Sequence, residues 1–509
     1  MKAEPGSMIH QLPFDELRAR YRAGELSPVD VTLSALAHAE RANESLNAFA
    51  LLDRKRALES AARSAMRWKS RTPAGSLDGM PLTVKEFAAV EGWTTRRGSA
   101  VTGGEPAPRN TVFVERLMAG GAVLIGKTRA PEFNWKGVTD SPAFGITRNP
   151  WDLSLTPGGS SGGCAAAVAA GIVRVSLASD AGGSIRIPSA FTGLVGLKPT
   201  FGRVPANPQP SAFSNIVHTG PIAASVSELA ETLQIVGGAS ARDWHSFIGG
   251  EMDYVHAVSR ADDAPMLRIG ILAPAHWRSA QDPVREGVET VLKQLRDTGF
   301  AVKTVDFDVT AASAVSAAFY RIGCAATIRA VPEASRHRLD PELLRFAEGA
   351  DAGPMTEYLA LCGQRDAWCN RLGSLFDEVD VLMLPTMPIL PFTAGRLVPE
   401  GWPCDDWLSW NPYTPAFNMA QVPAMSFPIW PDSGALPVGV QFVAPRYRDD
   451  SLLMLGAWLE KRYPLKLAPA PAPHEEVAAV SADTAATPDV PDNVHRQARL
   501  MAARLYFAS

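Results

Sequence analysis

A stretch with almost no side-chain bulk constrains this chain more than any other feature. Residues 158–171 read GGSSGGCAAAVAAG. Alanine is the best helix former and glycine commonly ends helices, so we expect a helix over residues 165–170 that stops at Gly171. Because its side chains are so small, neighbouring backbone can approach it closely. The run therefore predicts a helix at the centre of a tightly packed fold.

Strand and helix patterns alternate along the rest of the chain, which is typical of α/β proteins. Ser27 and Pro28 fit the N-cap and first turn of one helix, and Asp282-Pro283 is expected to cap another. The predicted strands cover residues 122–126, 267–272, 301–307, 379–385 and 436–443. The predicted helices cover residues 27–40, 111–120, 282–299 and 450–461.

Composition excludes several classes of protein. The net charge of the 509 residues is −4, which gives no electrostatic basis for binding nucleic acid. We find no apolar run of the 18 or so residues that span a bilayer, and no secretory signal at the start. Five scattered cysteines suit a reducing compartment. We expect a soluble, cytoplasmic protein with neither a nucleic-acid partner nor a membrane partner.

Three regions are expected along the chain. Residues 1–26 form an N-terminal segment, residues 27–465 form one large domain, and residues 466–509 form a tail. Within the tail, residues 468–493 are rich in Pro, Ala, Asp and Glu, which predicts a disordered linker. Residues 494–507 are expected to form a short amphipathic helix.

Two further motifs complement the glycine–serine run. Residues 180–188, DAGGSIRIP, place Ser184 24 residues after Ser160, and residues 79–86, GMPLTVKE, place Lys85 75 residues before Ser160. Together they supply two hydroxyls, one amine and several glycine amides. That set is sufficient for nucleophilic acyl chemistry without histidine or metal.

Ser184 is the predicted nucleophile because it follows two glycines. Without side chains there, the backbone N–H groups of Ala181, Gly182, Gly183 and Ser184 can converge on one point. Such converging donors form an oxyanion hole.

Lys85 is the predicted base, and it must be buried to be neutral near pH 7. Ser160 would lie between Lys85 and Ser184 and relay the proton, and Glu86 is expected to point away. Asp180 and Arg186 are expected to form an ion pair that fixes the loop. Taken singly, residues 158–163 could be a capped turn and Lys85 a surface charge, so the joint occurrence carries the interpretation.

The motifs resemble those of the amidase signature family, GGSSGG…D-x-GGS-x-R-x-P…G-x-x-G-x-KPT-x-GRV. The similarity extends over residues 27–460 and includes residues 131–133, 144–145, 149–151 and 437–441. The resemblance implies a single α/β/α domain around a large mixed β-sheet flanked by helices. It also implies a Ser–cis-Ser–Lys set, with the acyl-enzyme serine at Ser184, the bridging serine at Ser160, the lysine at Lys85 and the cis peptide at Gly159-Ser160.

The same resemblance assigns supporting positions. Ser161 and Ser179 match hydroxyls that support the core of the site by hydrogen bonding, and Asn134 matches a loop position that borders the substrate. The chain departs from the family at Glu86, where Asp is usual, and at Ala181, where a larger residue is common. The first departure puts the positioning of the lysine in doubt.

The expected function is amide hydrolysis through a serine acyl-enzyme, with a small-molecule amide as substrate and no cofactor or metal. Nine dispersed histidines offer no metal-binding spacing. Aromatic residues in segments 133–135, 318–320 and 402–417 suggest an apolar or aryl acyl group, unless those rings belong to the core. A homodimer is the default expectation for the assembly.

Three alternatives remain at this stage. An α/β-hydrolase would use Ser161 as nucleophile with His218 or His276. The glutaminase (A) component of glutamyl-tRNA amidotransferase would release ammonia from glutamine, held by Arg321 or Asp405, for a partner subunit. A non-catalytic scaffold would bind partners only.

Overall fold

The computed structural model describes residues 8–207, 213, 215–247, 253–350, 353–434 and 436–469. Its strands are β1 Phe49–Leu52, β2 Pro81–Lys85, β3 Val123–Thr128, β4 Asp140–Ser141, β5 Gly145–Ile146, β6 Val175–Asp180, β7 Val195–Lys198, β8 His218–Ala223, β9 Arg268–Leu272, β10 Ala301–Val305, β11 Val381–Pro385, β12 Ala424–Ile429 and β13 Val438–Val443. Its helices are α1 Phe14–Ala23, α2 Pro28–Leu46, α3 Arg54–Lys69, α4 Val112–Ala119, α5 Gly162–Ala169, α6 Arg186–Thr192, α7 Val226–Val236, α8 Tyr254–Ser259, α9 Asp282–Asp297, α10 Ser313–Arg329, α11 Pro341–Phe346, α12 Met355–Glu378, α13 Pro415–Met419 and α14 Asp449–Glu460.

One mixed sheet organises the described residues. Its eleven strands run in the order β1-β3-β2-β6-β8-β7-β12-β13-β11-β9-β10, and β4 and β5 form a separate pair. Strands β3, β2 and β6 are parallel, as are β11, β9 and β10, whereas the strands from β6 to β11 pair antiparallel. The predicted α/β fold with a large mixed sheet flanked by helices is confirmed.

Helix α5 lies where the sequence predicts a central helix. Every residue from Gly162 to Ala169 is buried, and the helix packs against β6 and α6. A Cβ added at Gly163 would lie 2.6 Å from the Arg129 backbone nitrogen. The small residues of this run are therefore required by close backbone approach.

Most predicted boundaries agree with the structure to within two residues. Ser27 is the N-cap of α2, and its side chain accepts a hydrogen bond from the Val29 N–H at 3.2 Å. The cap predicted at Asp282-Pro283 is wrong: Gln281 is the N-cap and Asp282 is already helical. Strand β10 ends at Val305 rather than at residue 307, because residues 306–307 extend beyond its register with β9.

The N-terminal segment packs on the main core. Within the predicted N-terminal segment, α1 buries Phe14, Leu17 and Tyr21 in the main core. The linker predicted over residues 468–493 lies almost wholly outside the described residues, and the helix predicted over residues 494–507 lies wholly outside them. The division into three regions stays a prediction.

One helical stretch, Thr310–Arg329, is long and apolar enough to cross a membrane by length and composition alone. It differs from the expectation that no apolar run is long enough to span a bilayer. Its hydropathy is modest, its window is 44% buried, and core helices of soluble proteins meet the same criterion. It packs against α11, α12 and α13, so this is weak support for a membrane span.

Candidate active site

The sheet brings the three sequence motifs together. Lys85 is the last residue of β2, and Ser179 and Asp180 end β6, which pairs with β2 in parallel. The carboxyl ends of parallel strands lie at one edge of a sheet, which is where α/β proteins bind ligands. Ser160 comes just before Ser161, the N-cap of α5, and Ser184 lies in the turn between β6 and α6.

Lys85 is fully buried and is held by two hydroxyls. Its Nζ lies 2.7 Å from Ser160 Oγ and 3.1 Å from Ser179 Oγ. Burial, opposed by the negative charge of Asp180, lowers the pKa of Lys85 from 10.5 to about 7. An appreciable fraction of the amine is therefore neutral at physiological pH and able to accept a proton.

Glu86 points away from Lys85, as expected. Its carboxylate accepts hydrogen bonds from the backbone N–H groups of Arg96 and Gly98. Burial raises the pKa of Glu86, and the nearby charge of Lys127 opposes that rise. The substitution of Glu for the usual Asp thus leaves the contacts of Lys85 with Ser160 and Ser179 intact.

The glycine–serine run turns sharply at the site. The peptide bond between Gly159 and Ser160 is cis, as the resemblance implies. A Cβ at Gly159 would lie 2.4 Å from the Val138 carbonyl oxygen, so no other residue fits there. Ser161 Oγ donates to the Ser179 carbonyl at 3.1 Å, which is the supporting contact expected of it.

Asp180 organises the loop that carries Ser184. Its carboxylate accepts from the N–H groups of Gly183 at 2.7 Å and Ile185 at 3.1 Å, and it forms a fully buried ion pair with Arg186 at 2.9 Å. Burial alone would raise the pKa of Asp180, but the Arg186 guanidinium holds it well below its usual value. The predicted ion pair between Asp180 and Arg186 is confirmed.

Of the four backbone N–H groups predicted to form the oxyanion hole, Gly183 N–H is used elsewhere. The Gly183 N–H is bound to Asp180, so it does not face the pocket as a free donor. Gly183 has a φ of +119°, and a Cβ there would lie 2.1 Å from Thr414 Oγ1. For the N–H groups of Ala181, Gly182 and Ser184, the described residues offer no hydrogen-bond acceptor.

Residues more than 200 positions further along the chain hold this loop, and sequence reasoning missed them. Thr414 Oγ1 and Asn411 Nδ2 each donate to the Gly182 carbonyl at 2.7 Å. Asn418 and Gln441 bind the Arg186 guanidinium through their side-chain oxygens. No local pattern marks isolated polar residues of this kind, so only the tertiary fold reveals them.

Ser160 and Ser184 line one small cavity of about 40 Å³. Asn134, predicted to border the substrate, lines it too, with Phe133 and Tyr320 from the predicted aromatic segments. Phe87 and Arg97 were not anticipated. The complete lining among the described residues is Phe87, Arg97, Phe133, Asn134, Ser160, Ser179, Ala181, Ser184, Phe213, Val217 and Tyr320.

Four of the five aromatic residues of segment 402–417 belong to the core instead, and the fifth, Trp402, is partly buried. Trp407, Trp410, Tyr413 and Phe417 are at most 2% exposed, and none of them lines the cavity. They pack on other rings, such as Phe191 and Phe392 against Trp410. The expectation that this segment shapes an aryl acyl site is therefore wrong.

The contacts of the α/β-hydrolase alternative are not formed. Ser161 Oγ is bonded to the Ser179 carbonyl, and His218 Nδ1 lies 2.9 Å from the Ile216 carbonyl. His276 pairs with the exposed Asp306 at 2.6 Å. No Ser161–histidine pair forms among the described residues, so this alternative lacks its base.

The Asp180–Arg186 pair supports a stability prediction. Asp180→Asn leaves the guanidinium buried without a counter-charge, and breaking such a pair typically costs about 3–5 kcal/mol. We expect that loss in the free energy of unfolding, measured by urea denaturation at pH 7. Glu16→Gln, which breaks a half-exposed pair with Arg20, serves as the control and should change it by less than about 1 kcal/mol. A loss below about 1 kcal/mol in Asp180→Asn would contradict the anchoring role.

Comparison with known proteins is consistent with this fold and set of motifs. The Amidase family model matches residues 30–453. This chain therefore belongs to the amidase signature family.

Individual relatives within the family differ in what they do. The chain is 32% identical over 477 residues to the glutamyl-tRNA(Gln) amidotransferase A chain of Chloroflexus aurantiacus, covering 88% of this chain and 96% of that one. A bacterial aryl acylamidase superposes with a TM-score of 0.81 at 26% identity, covering 89% and 97% of the two chains. A structure from a vestigial complex linked to the origins of an s-triazine catabolic enzyme gives 0.80 at 29% identity, covering 90% and 100%.

Proposed function

We propose that this protein is an amidase that hydrolyses a small amide through an ester on Ser184. The observation that carries the proposal is the 2.7 Å contact between Lys85 Nζ and Ser160 Oγ, beside the cavity that Ser160 and Ser184 share. A buried amine with a lowered pKa, bonded to one serine and with a second serine on the same cavity, is the arrangement that activates a hydroxyl nucleophile.

The proposed reaction has two halves. Ser184 Oγ attacks the amide carbonyl while its proton passes to Ser160, which gives its own proton to Lys85 Nζ. The N–H groups of Ala181, Gly182 and Ser184 stabilise the oxyanion. The relay then returns a proton to the leaving nitrogen, the C–N bond breaks, and water hydrolyses the acyl ester by the same route.

Labelling with a fluorophosphonate probe tests this proposal directly. We expect modification at Ser184, located by peptide mass mapping, and strong slowing of the labelling in Lys85→Ala. Labelling at Ser161 would overturn the assignment in favour of the α/β-hydrolase alternative. Absence of labelling in folded protein would instead favour a scaffold, or a subunit that requires its partner.

A second candidate is the glutaminase subunit of a tRNA-dependent amidotransferase. The relatives that bear that name, at 30–33% identity over most of this chain, favour it about as well as a plain amidase. Two observations support the plain amidase. Arg321 is paired with Asp406 at 2.7 Å rather than open to the cavity, and Asp405, the other candidate for holding glutamine, is not among the lining residues.

Ammonia release from glutamine separates these two candidates. A glutaminase subunit should convert glutamine to glutamate, most strongly with a partner subunit present. A plain amidase should hydrolyse simple amides alone and leave glutamine largely intact.

A further inference from the structure

The wall of the cavity carries a guanidinium that has no anionic partner among the described residues. Arg97 lines the cavity together with Ser160 and Ser184. Its Nε is enclosed and has no hydrogen-bond acceptor in the part of the chain that the structure describes. Its Cζ lies 5.1 Å from the centre of the Phe133 ring, a cation–π contact that orients the group without neutralising it.

Three buried cations of this protein are paired with carboxylates, whereas the buried amines of Lys85 and Lys127 have no carboxylate partner among the described residues and a pKa lowered to about 7. Arg186 binds Asp180, Lys136 binds Asp340, and Arg203 lies 3.5 Å from Asp449. Arg97 is partly buried, and a charge partly withdrawn from water without a partner is unfavourable. Burial lowers the pKa of Arg97 to about 10, so the group still carries its charge at neutral pH. An arginine without a counter-charge, on the same cavity as the proposed nucleophile, therefore suggests a role in binding an anion.

The backbone around Arg97 is held in an unusual shape. Arg97, Phe133 and Asn134 all have left-handed φ values, between +49° and +61°. Phe133 N–H donates to the Arg97 carbonyl at 2.7 Å, and Glu86 accepts from the N–H groups on either side of Arg97. Residues other than glycine adopt such φ values at a cost, and they cluster at ligand sites. These contacts thus fix the backbone that carries the Arg97 side chain to the cavity.

No acidic side chain among the described lining residues competes for Arg97. Glu86 is occupied by backbone N–H groups, and Asp180 is occupied by Arg186. The cavity is therefore electropositive, and its described lining offers no carboxylate for an ammonium group.

We infer that Arg97 binds a carboxylate of the substrate, so that the substrate is a small amide acid without a free amino group. The inference rests on the proposed amidase function and names its substrate class. The planar guanidinium matches a carboxylate with two parallel N–H···O bonds. A monoamide of a short dicarboxylic acid fits the class, whereas glutamine would bring an ammonium group that no described lining residue pairs.

Paired substrates test the inference. Succinamate and its methyl ester differ in the charge on the acyl side, and N-acetylglycine and its methyl ester differ in the charge on the amine side. Because the ester bond can itself be cleaved, amide cleavage is followed, as ammonia release in the first pair and acetate release in the second. A charged hydrogen bond is worth about 1.5–3 kcal/mol. We therefore expect kcat/KM to favour the acid over its ester by ~10- to 100-fold in one pair, and the favoured pair identifies the side that Arg97 contacts.

Variants separate a substrate contact from a structural role. Arg97→Gln should abolish the preference for the acid while still cleaving the amide bond of the methyl ester substrate. Arg97→Lys should retain part of the preference. Arg96→Gln is the matched control, since it removes an exposed charge one residue away and should leave the ratio unchanged. Equal rates for acid and ester in the wild type, or an unchanged ratio in Arg97→Gln, would overturn the inference.

A binding measurement distinguishes failure of this inference from failure of the proposed function. Succinate should bind the wild-type protein by calorimetry and slow fluorophosphonate labelling of Ser184, with both effects lost in Arg97→Gln. Succinate binding without labelling would reject the amidase and retain the anion site. Labelling without succinate binding, or with equal binding to Arg97→Gln, would reject the anion site and retain the amidase.

Discussion

Replacing Ser184 with alanine is expected to lower amide turnover by at least about 10⁴-fold, because no acyl-enzyme can form without the nucleophile. The stability should change little, since Ser184 Oγ makes no hydrogen bond within the described residues. Steady-state rates and a thermal melt of the same preparation measure both quantities.

Ser161→Ala is the matched control for this experiment. Ser161 is also buried, but its hydroxyl donates to the Ser179 carbonyl rather than facing the cavity. It should lose far less activity, together with about 1 kcal/mol of stability from the missing hydrogen bond. Residual turnover in Ser184→Ala near that of Ser161→Ala would remove Ser184 from the mechanism.

Lys85→Met is expected to lower activity while making the protein more stable. Loss of a general base costs about 10²–10⁴-fold in rate. Folding with a lysine whose pKa falls from 10.5 to about 7 costs roughly 4 kcal/mol at pH 7. Methionine avoids that cost but leaves the Ser160 and Ser179 hydroxyls without the amine, at about 1 kcal/mol each. A net gain of about 2 kcal/mol follows, measurable by urea denaturation.

The pH dependence gives Lys85 a second signature. The active form of the base is the neutral amine, so kcat/KM should rise as pH increases through about 7. Between pH 7 and 10.5 the unfolded chain holds the proton that the folded protein has lost. This contribution makes the wild type more stable as pH rises through that window. The stability advantage of Lys85→Met over the wild type should therefore shrink as pH rises, vanish near pH ~9 and reverse toward pH ~10.

Lys127 provides the control for these effects. Burial also lowers its pKa to about 7, but its Nζ donates to the Thr94 carbonyl and to Thr95 Oγ1, away from the cavity. Lys127→Met should show the same pH-dependent gain in stability as Lys85→Met. Unlike Lys85→Met, it should keep the rise of kcat/KM near pH 7. If the rise of kcat/KM near pH 7 persisted in Lys85→Met, or if it were lost in both variants, Lys85 would not be the base.

The sequence by itself determined the fold class, the family and the three motifs that meet at the cavity. The glycines at positions 158, 159, 162, 163 and 183 are required because a side chain there would be strained or would clash with neighbouring atoms. Their spacing from Lys85 indicates the family. The outer strands β9 and β11 were predicted because they are apolar runs bounded by turn residues. Strand β10, which follows the end of α9, was also predicted. The central strands β6, β7, β8 and β12 were not predicted. They contain Ser, Asp, Gly and Pro, and they form through pairing with neighbours on both sides.

Only the tertiary structure decided the surroundings of those residues. It paired the Gly183 N–H with Asp180 and brought Asn411, Thr414 and Asn418 to the Ser184 loop. It buried four of the five aromatic residues of segment 402–417 in the core. It also placed Arg97 on the cavity wall with no counter-charge among the described residues. Motifs are local and leave a mark on the sequence, whereas partners hundreds of residues apart meet only when the sheet assembles.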